Sequence, residues 1–461
     1  MTIISKTYRL LGLSLLACLC NVLTSAQNST SSPYSAFGIG ILTPIEDATS
    51  AGMGHAGIAL APNDWINISN PAGIGNLDSL TFHFNAQLKW FYGRIDPAER
   101  GHQSVYRTNL DGISFGWRGK PWWAACVGYA PYSSVGYNIT DPYQFIDGSV
   151  DKYTINYKGS GGLSRAFFNN AFTLFNHLTL GVSVGAIWGS ITKTETATFP
   201  YGETIYNTKK YTMNNLFFEY GMQFDFKLGQ DNKFRFGAIY NEKTNMRSSY
   251  DHIVSNDISN DLFFDDVTPL DGEFAVPRSY GVGFSYNRRK FTATVDYREN
   301  FWSKLKNVKF RESAKYLDNY SIGGGVEWAC GKREDPFYKR LRWRLGCHYE
   351  TSYLGLTNKK VVGTTTIKKK VPVYDPELQT TVMKEIDIKI PVLDQSGANL
   401  SALTFTAGVT IPLGRWSNAL NIGYEYREHG TNANGLMKEK FQTVKIGLNI
   451  RETWFMKAKF N

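Results

Sequence analysis

From Thr81 to Trp90 the chain alternates polar and apolar residues without a break. Thr81, His83, Asn85, Gln87 and Lys89 take one set of positions; Phe82, Phe84, Ala86, Leu88 and Trp90 take the other. Side chains of a strand point to opposite faces with period two, so one face of this strand is apolar and the other polar. The pattern returns along the rest of the chain. Leu178, Leu180, Val182, Val184, Ala186 and Trp188 oppose Thr179, Gly181, Ser183 and Gly185. Leu216, Phe218, Tyr220, Met222, Phe224, Phe226 and Leu228 oppose Glu219, Gly221, Gln223, Asp225 and Lys227. Strands are predicted at 80–92, 108–118, 122–139, 152–170, 178–196, 208–228, 233–244, 277–286, 291–302, 318–330, 340–353, 399–412, 418–429 and 438–450. Gly159-Ser160-Gly161-Gly162 interrupts the fourth, as glycine does at a kink or bulge.

The connections alternate between short and long. Phe175-Asn176-His177, Gly229-Gln230-Asp231-Asn232 and Gly414-Arg415-Trp416 are short; 93–107, 245–276 and 354–398 are long. A bilayer-spanning meander has this asymmetry, with tight turns on one side and loops on the other. Its apolar faces meet lipid and its polar faces line a lumen. Hydrocarbon offers no partner for backbone N–H and C=O groups, so the last strand must pair with the first. The predicted fold is an all-β transmembrane antiparallel β-barrel of about fourteen strands.

Composition adds a destination. Lys6 and Arg9 precede an apolar stretch, Leu10 to Leu23, and Thr24-Ser25-Ala26 offers small residues for cleavage. Residues 1–26 read as a signal peptide. Leu15-Leu16-Ala17 before Cys18 leaves open a lipoprotein signal instead. Removing Lys6 and Arg9 from the 50 basic residues leaves 48 against 40 acidic ones, a charge of about +8. That excess suits anionic headgroups. Without a basic stripe it does not suit nucleic acid. Cys126, Cys330 and Cys347 are too few and too odd in number for a disulfide framework, and no zinc spacing is present.

Residues 27–79 do not alternate. Gly38, Gly40, Gly52, Gly54, Gly57, Gly73 and Gly75 and Pro33, Pro44, Pro62 and Pro71 mark turns, with apolar residues such as Phe37, Ile39 and Ile45 between them. This is an ordered-loop composition, sized to lie inside a barrel as a plug, with 80–461 forming the wall. Ser50-Ala51-Gly52-Met53-Gly54-His55-Ala56-Gly57, then Ala61-Pro62-Asn63-Asp64, then Asn70-Pro71-Ala72-Gly73 resemble the N-terminal signature of the FadL/TodX outer-membrane transport family. The resemblance implies fourteen strands, a lumenal hatch containing Asn70, Pro71, Ala72 and Gly73, and passive entry of hydrophobic molecules such as long-chain fatty acids. Some FadL-like barrels instead serve secretion or barrel-assembly machines. Asn70 and Pro71 are equally accounted for as a capped turn.

Parity places a set of charged residues on the lumenal face. His83 and Lys89 lie on the first strand, Glu219, Asp225 and Lys227 on the sixth, and Arg235 on the seventh. Asp296 and Arg298 lie on the ninth, Arg342, Arg344, His348 and Glu350 on the eleventh, and Glu425 and Arg427 on the thirteenth. Arginine binds carboxylates bidentately, so Arg342 or Arg344 could meet a fatty-acid head. The plainer expectation is a wall whose charges pair with one another or with the plug. No histidine has a sequence partner that marks a catalytic pair, and Gly159–Gly162 lacks the Lys-Ser/Thr of a phosphate loop, so neither enzyme chemistry nor a cofactor is expected. The expected setting is the outer membrane of a Gram-negative cell. The expected partners are outer-membrane lipid, a hydrophobic small-molecule ligand and other outer-membrane proteins. An adhesin using 245–276 and 354–398 is a third reading.

Overall fold

The computed structural model describes residues 30–96, 103–145, 152–199, 204–257, 262–269, 274–305, 314–331, 335–357, 360–375, 380–394, 397–413, 418–431 and 436–453. The expected signal peptide and Cys18 lie outside them. Fourteen antiparallel strands form the wall. They are β1 (Thr81–Asp96), β2 (Gln103–Lys120), β3 (Trp123–Pro131 continued by Ser133–Phe145), β4 (Lys152–Leu174) and β5 (Leu178–Thr198). β6 (Thr204–Leu228), β7 (Asn232–Asn241 and Arg247–Asn256), β8 (Leu262–Pro269 and Ser279–Arg288) and β9 (Phe291–Asn300) follow. The wall ends with β10 (Ala314–Tyr316 and Asn319–Ala329), β11 (Arg342–Thr357), β12 (Gly397–Leu413), β13 (Asn418–Gly430) and β14 (Lys438–Thr453). Each pairs with its neighbours in sequence, and β14 pairs with β1 from Thr81 opposite Thr453 to Asp96 opposite Lys438. The closure leaves no end strand to be satisfied by lipid, which cannot do it.

The two faces of each strand divide as the alternation requires. On β6, Leu216, Phe218, Tyr220, Phe224 and Phe226 are exposed outward, whereas Glu219 and Gln223 are buried inward. Cys347 faces outward and Cys126 is buried; Cys126, Cys330 and Cys347 are all free thiols. Cys330 therefore makes no bond across the hairpin to Cys347, and both act as small residues on the outer surface.

The long connections differ from expectation. Strand structure continues through 247–256 and 262–269, which pair with each other, and 360–375 pairs with 380–394 in a separate two-stranded sheet. Beyond the bilayer both faces of a strand meet water, so apolar alternation fades while the hydrogen-bond ladder persists. Ser104, Arg107 and Thr108 on β2 show this, being exposed irrespective of parity.

The wall bends away from its neighbour in β3. β3 pairs with β2 only between Ile113–Lys120 and Trp123–Tyr129, then bends at Tyr132. Beyond the bend Ser133–Phe145 pairs with β4, and among the described residues Gln103–Gly112 pairs with β1 alone. The bend lies opposite Gly161 (φ +110°) and Gly162 (φ +145°). A Cβ on Gly162 would stand 2.3 Å from the Ser133 carbonyl oxygen, so only glycine lets the two backbones meet there. The exposed strand edge is taken up by the chain's own N-terminal residues. Ile41–Leu42 forms a short strand against Ser133–Ser134, and the Ser35 hydroxyl both donates to the Gly136 carbonyl and accepts from its amide.

Candidate functional site

The inward wall and residues 30–79 are built to meet. Small residues stand where the two backbones touch. A Cβ on Gly181 would stand 2.2 Å from the Ala72 nitrogen, one on Gly221 2.1 Å from Asn70 Oδ1, and one on Gly346 2.2 Å from the Gly54 nitrogen. Comparable approaches at Gly237 and Gly323 carry the contact round β7 and β10.

The Asn-Pro-Ala-Gly motif opens a 3₁₀ turn, Pro71–Asn76. Asn70 caps it by accepting from the Ala72 amide at 2.9 Å, and Pro71 takes the first helical position, where no N–H is needed. The same Asn70 side chain donates to the Ile58 carbonyl at 2.8 Å and reaches the Met222 and Ala238 carbonyls on the wall. Its turn-capping role is therefore joined to a second, attaching the turn to β6 and β7.

The wall's polar residues bind the segment's backbone. Asp296 accepts from the Gly57 and Ile58 amides at 2.6 and 2.7 Å. Gln223 donates to the Ile58 and Leu60 carbonyls, Ser285 to Ala59, and Arg235 to Ala61 while also pairing with Asp225. Arg342 pairs with Asp64 of the segment at 2.7 Å, Arg344 with Glu327 of β10 at 2.6 Å, and Arg451 with Asp78. His83 is buried beside the Thr81 hydroxyl at 2.9 Å. Lys227 is exposed at the short-turn rim. Arg342 and Arg344, the residues considered for a ligand carboxylate, thus already face carboxylates of the chain itself. The expectation that lumenal charges pair internally describes them better.

A denser cluster lies toward the long loops. Lys445 of β14 is buried and pairs with Glu46 of the segment; Glu425 of β13 lies 3.3 Å and Asp111 of β2 3.4 Å from its ammonium. The other oxygen of Glu46 meets His55 Nδ1 at 2.5 Å. The His55 ring stands edge-on to His348, with 4.7 Å between ring centroids. His348 Nε2 is 3.7 Å from Glu350, which also pairs with Arg427. Burial alone would raise the Glu46 carboxyl, but His55 and Lys445 hold it below its ordinary range. Burial opposes charge on His55, yet Glu46 and Glu425 outweigh it and raise the imidazole. Neighbouring Asp47, which caps the short helix Ala48–Ala51, is pushed up to about 6 by burial. Glu46, His55 and Glu425 are also close enough to share a cation. Lys445 already supplies that cation, so the group is an ion-pair cluster.

Of the residues picked from sequence parity, His348, Glu350, Glu425 and Arg427 gather here, and Lys89 lines the same cavity. Arg298 stands across the lumen, donating to the Ser69 carbonyl at 3.4 Å. Sequence reading missed Lys445, Glu46, His55 and Asp111. Lys445 does carry a signal, since it shares the parity of Thr443 and Asn449. Glu46 and His55 belong to a segment with no period, where parity says nothing.

Among the described residues, three sizeable cavities border the segment. One of about 160 Å³ lies on the long-loop side, lined by Leu42, Ile45, Ile187, Phe217 and Ile239, with Arg165 among its polar residues. Arg165 is buried, and its Nε and one terminal nitrogen have no partner. A second, of about 90 Å³, lies across Leu42–Pro44 against Lys89, Phe91 and Lys445. A third, of about 270 Å³, opens among Asp64, Lys233, Arg235 and Arg342 on the short-turn side. It shares no lining residue with the other two.

The fold has solved counterparts. The CymD monoaromatic hydrocarbon channel matches with a TM-score of 0.53 at 13% identity, over 91% of this chain and 100% of that one. The Ralstonia pickettii toluene transporter TbuX matches at 0.50 and 16%, over 90% and 99%. A Pseudomonas aeruginosa FadL homologue matches at 0.51 and 10%, over 89% and 99%. At such identities the likeness is one of fold, and the fold is that of FadL-type channel barrels. No curated protein matches the sequence. The family model that matches is described as BamG, and it takes in residues 9–367 and 392–461, nearly the whole chain and both the wall and the segment inside it. The chain therefore belongs to the BamG family.

Proposed function

We propose that this protein is a FadL-like outer-membrane barrel that admits small hydrophobic molecules through its lumen, with residues 30–79 acting as the plug. The observation that carries this reading is the cavity of about 160 Å³ inside the barrel, where Leu42, Ile45, Ile187, Phe217 and Ile239 form an apolar part of a lining that also holds charged residues such as Arg165, Glu219, Asp296 and Glu350. A cavity of roughly 150 Å³ has room for a benzene ring. Hydrocarbon channels are the fold's solved counterparts, and a single-ring hydrocarbon is the ligand class of matching size. A long-chain fatty acid would fill this cavity with only part of its length. The bend in β3, sealed from within by Ile41–Leu42, offers a place where the wall would open to the bilayer once the segment moves.

A second reading is an accessory barrel of an outer-membrane protein complex. It is favoured by two observations: the segment is fastened to the wall on many sides, and the family that spans the chain is BamG.

One set of measurements separates the two. Purified protein is reconstituted in liposomes and entry of labelled toluene and of a labelled long-chain fatty acid is timed. Faster entry of toluene, abolished by Ile239→Trp in the cavity, supports uptake. Background entry of both, together with co-purification of other outer-membrane proteins in mild detergent, supports the complex subunit.

A further inference from the structure

We propose that His55, with Glu46 and Lys445, forms a proton-operated latch that fastens residues 43–55 to the wall at β2, β13 and β14. The cluster contains Glu46 from the segment, Asp111 from β2, Glu425 from β13 and Glu350 from β11, four carboxylates. Against them stand Lys445 of β14 and Arg427 of β13, two fixed cations. With both histidines neutral the group carries two uncompensated negative charges in a buried setting. A proton on His55 removes one of them at the point where the segment is attached. His348 supplies no second proton donor to Glu46, since its near contact is Glu350 and its Nδ1 has no partner.

Geometry makes the proton local to the attachment. Glu46 divides its two oxygens, one to the wall through Lys445 and one to His55 nine residues along the same segment. The pair closes a loop of the segment that also holds the capped helix Ala48–Ala51. Loss of the proton leaves Glu46 shared between a neutral ring and an ammonium that Asp111 and Glu425 also claim. Breaking one member of a buried charge group is strongly destabilising because the rest stay buried and uncompensated. The remaining charged groups facing these cavities are Lys89 on β1, Asp296 and Arg298 on β9, Glu242 just after Asn241, and Glu219 and Arg165 across the lumen. None of them is paired with His55. Burial pushes Asp47, next to Glu46, up to about 6, short of the ordinary imidazole value from which His55 is raised further.

The sign follows from the raised imidazole. The locked segment favours protonated His55, so attachment is strongest below the free imidazole value of about 6.5 and weakens as pH rises through the higher value of the locked state. The latch concerns the segment's attachment, independent of what the barrel carries.

The test places a nitroxide at Thr43→Cys, in the chain without its expected signal peptide 1–26 and with Cys126, Cys330 and Cys347 replaced by serine, reconstituted in lipid nanodiscs. Spin-label mobility does not itself depend on pH, and heat-modifiable gel migration confirms a folded barrel for each variant. From about pH 7 to about pH 10 the mobile fraction is expected to rise at least about threefold with native His55. H55Q should be mobile throughout and H55K immobile throughout, while H348Q should follow the native response. A flat native profile, a pH response retained in H55K, or a response lost in H348Q overturns the proposal. If H55Q does not fold, the H55K and H348Q profiles decide.

Discussion

Asn70 shows how one side chain joins local and global structure. Its oxygen caps a turn and its nitrogen reaches the backbone of β6 and β7, so the motif is at once a turn and an anchor. Gly221 is what lets it approach. Gly221→Leu is therefore expected to displace the turn and expose residues 57–76 to protease in intact liposomes, while the outward change Phe218→Ala leaves them protected. Lys445→Met would leave Glu46, Asp111 and Glu425 facing one another without their cation. It is expected to destabilise the folded barrel by about 3–5 kcal/mol, read as a lower urea midpoint in detergent. At this scale the sequence was half legible. Parity alone puts His83, Asp296, Arg344, His348 and Glu425 inward, because a strand has only two faces. The groups that meet the wall from inside, Glu46, His55, Asp64 and the Gly57 and Ile58 amides, come from a segment without a period. Nothing in its spelling says which wall residue each will meet.

Among elements, the strands were the legible part. Each of the fourteen runs read from alternation corresponds to a wall strand, and the Gly159–Gly162 interruption lies opposite the bend where β3 parts from β2 while staying paired with β4. Boundaries on the long-loop side were read short, because alternation reports the hydrocarbon slab and the ladders outrun it. The 360–394 hairpin is the extreme case, a two-stranded sheet pairing with no wall strand among the described residues. An isolated hairpin adds little stability of its own. Replacing 360–394 by a short turn is accordingly expected to leave heat-modifiable migration and the thermal midpoint unchanged. A barrel that fails to assemble after this excision would show that the hairpin belongs to the wall's folding unit.

For the whole molecule, closure and filling are one problem. A fourteen-stranded wall encloses more space than its own inward side chains occupy, and a lumen of that width is open unless something else fills it. Here the filling comes from the same chain, seated on wall glycines and held by Asp296, Gln223, Arg342 and Lys445. The cavities described on its two sides share no lining residue, and a barrel filled in this way is expected to be shut at rest. The most direct measurement is single-channel current across a planar bilayer. The full-length protein is expected to hold the current at the lipid baseline, and the same barrel lacking residues 30–79 to pass steady current as an open pore. Steady conductance of the same size from the full-length protein would contradict the account.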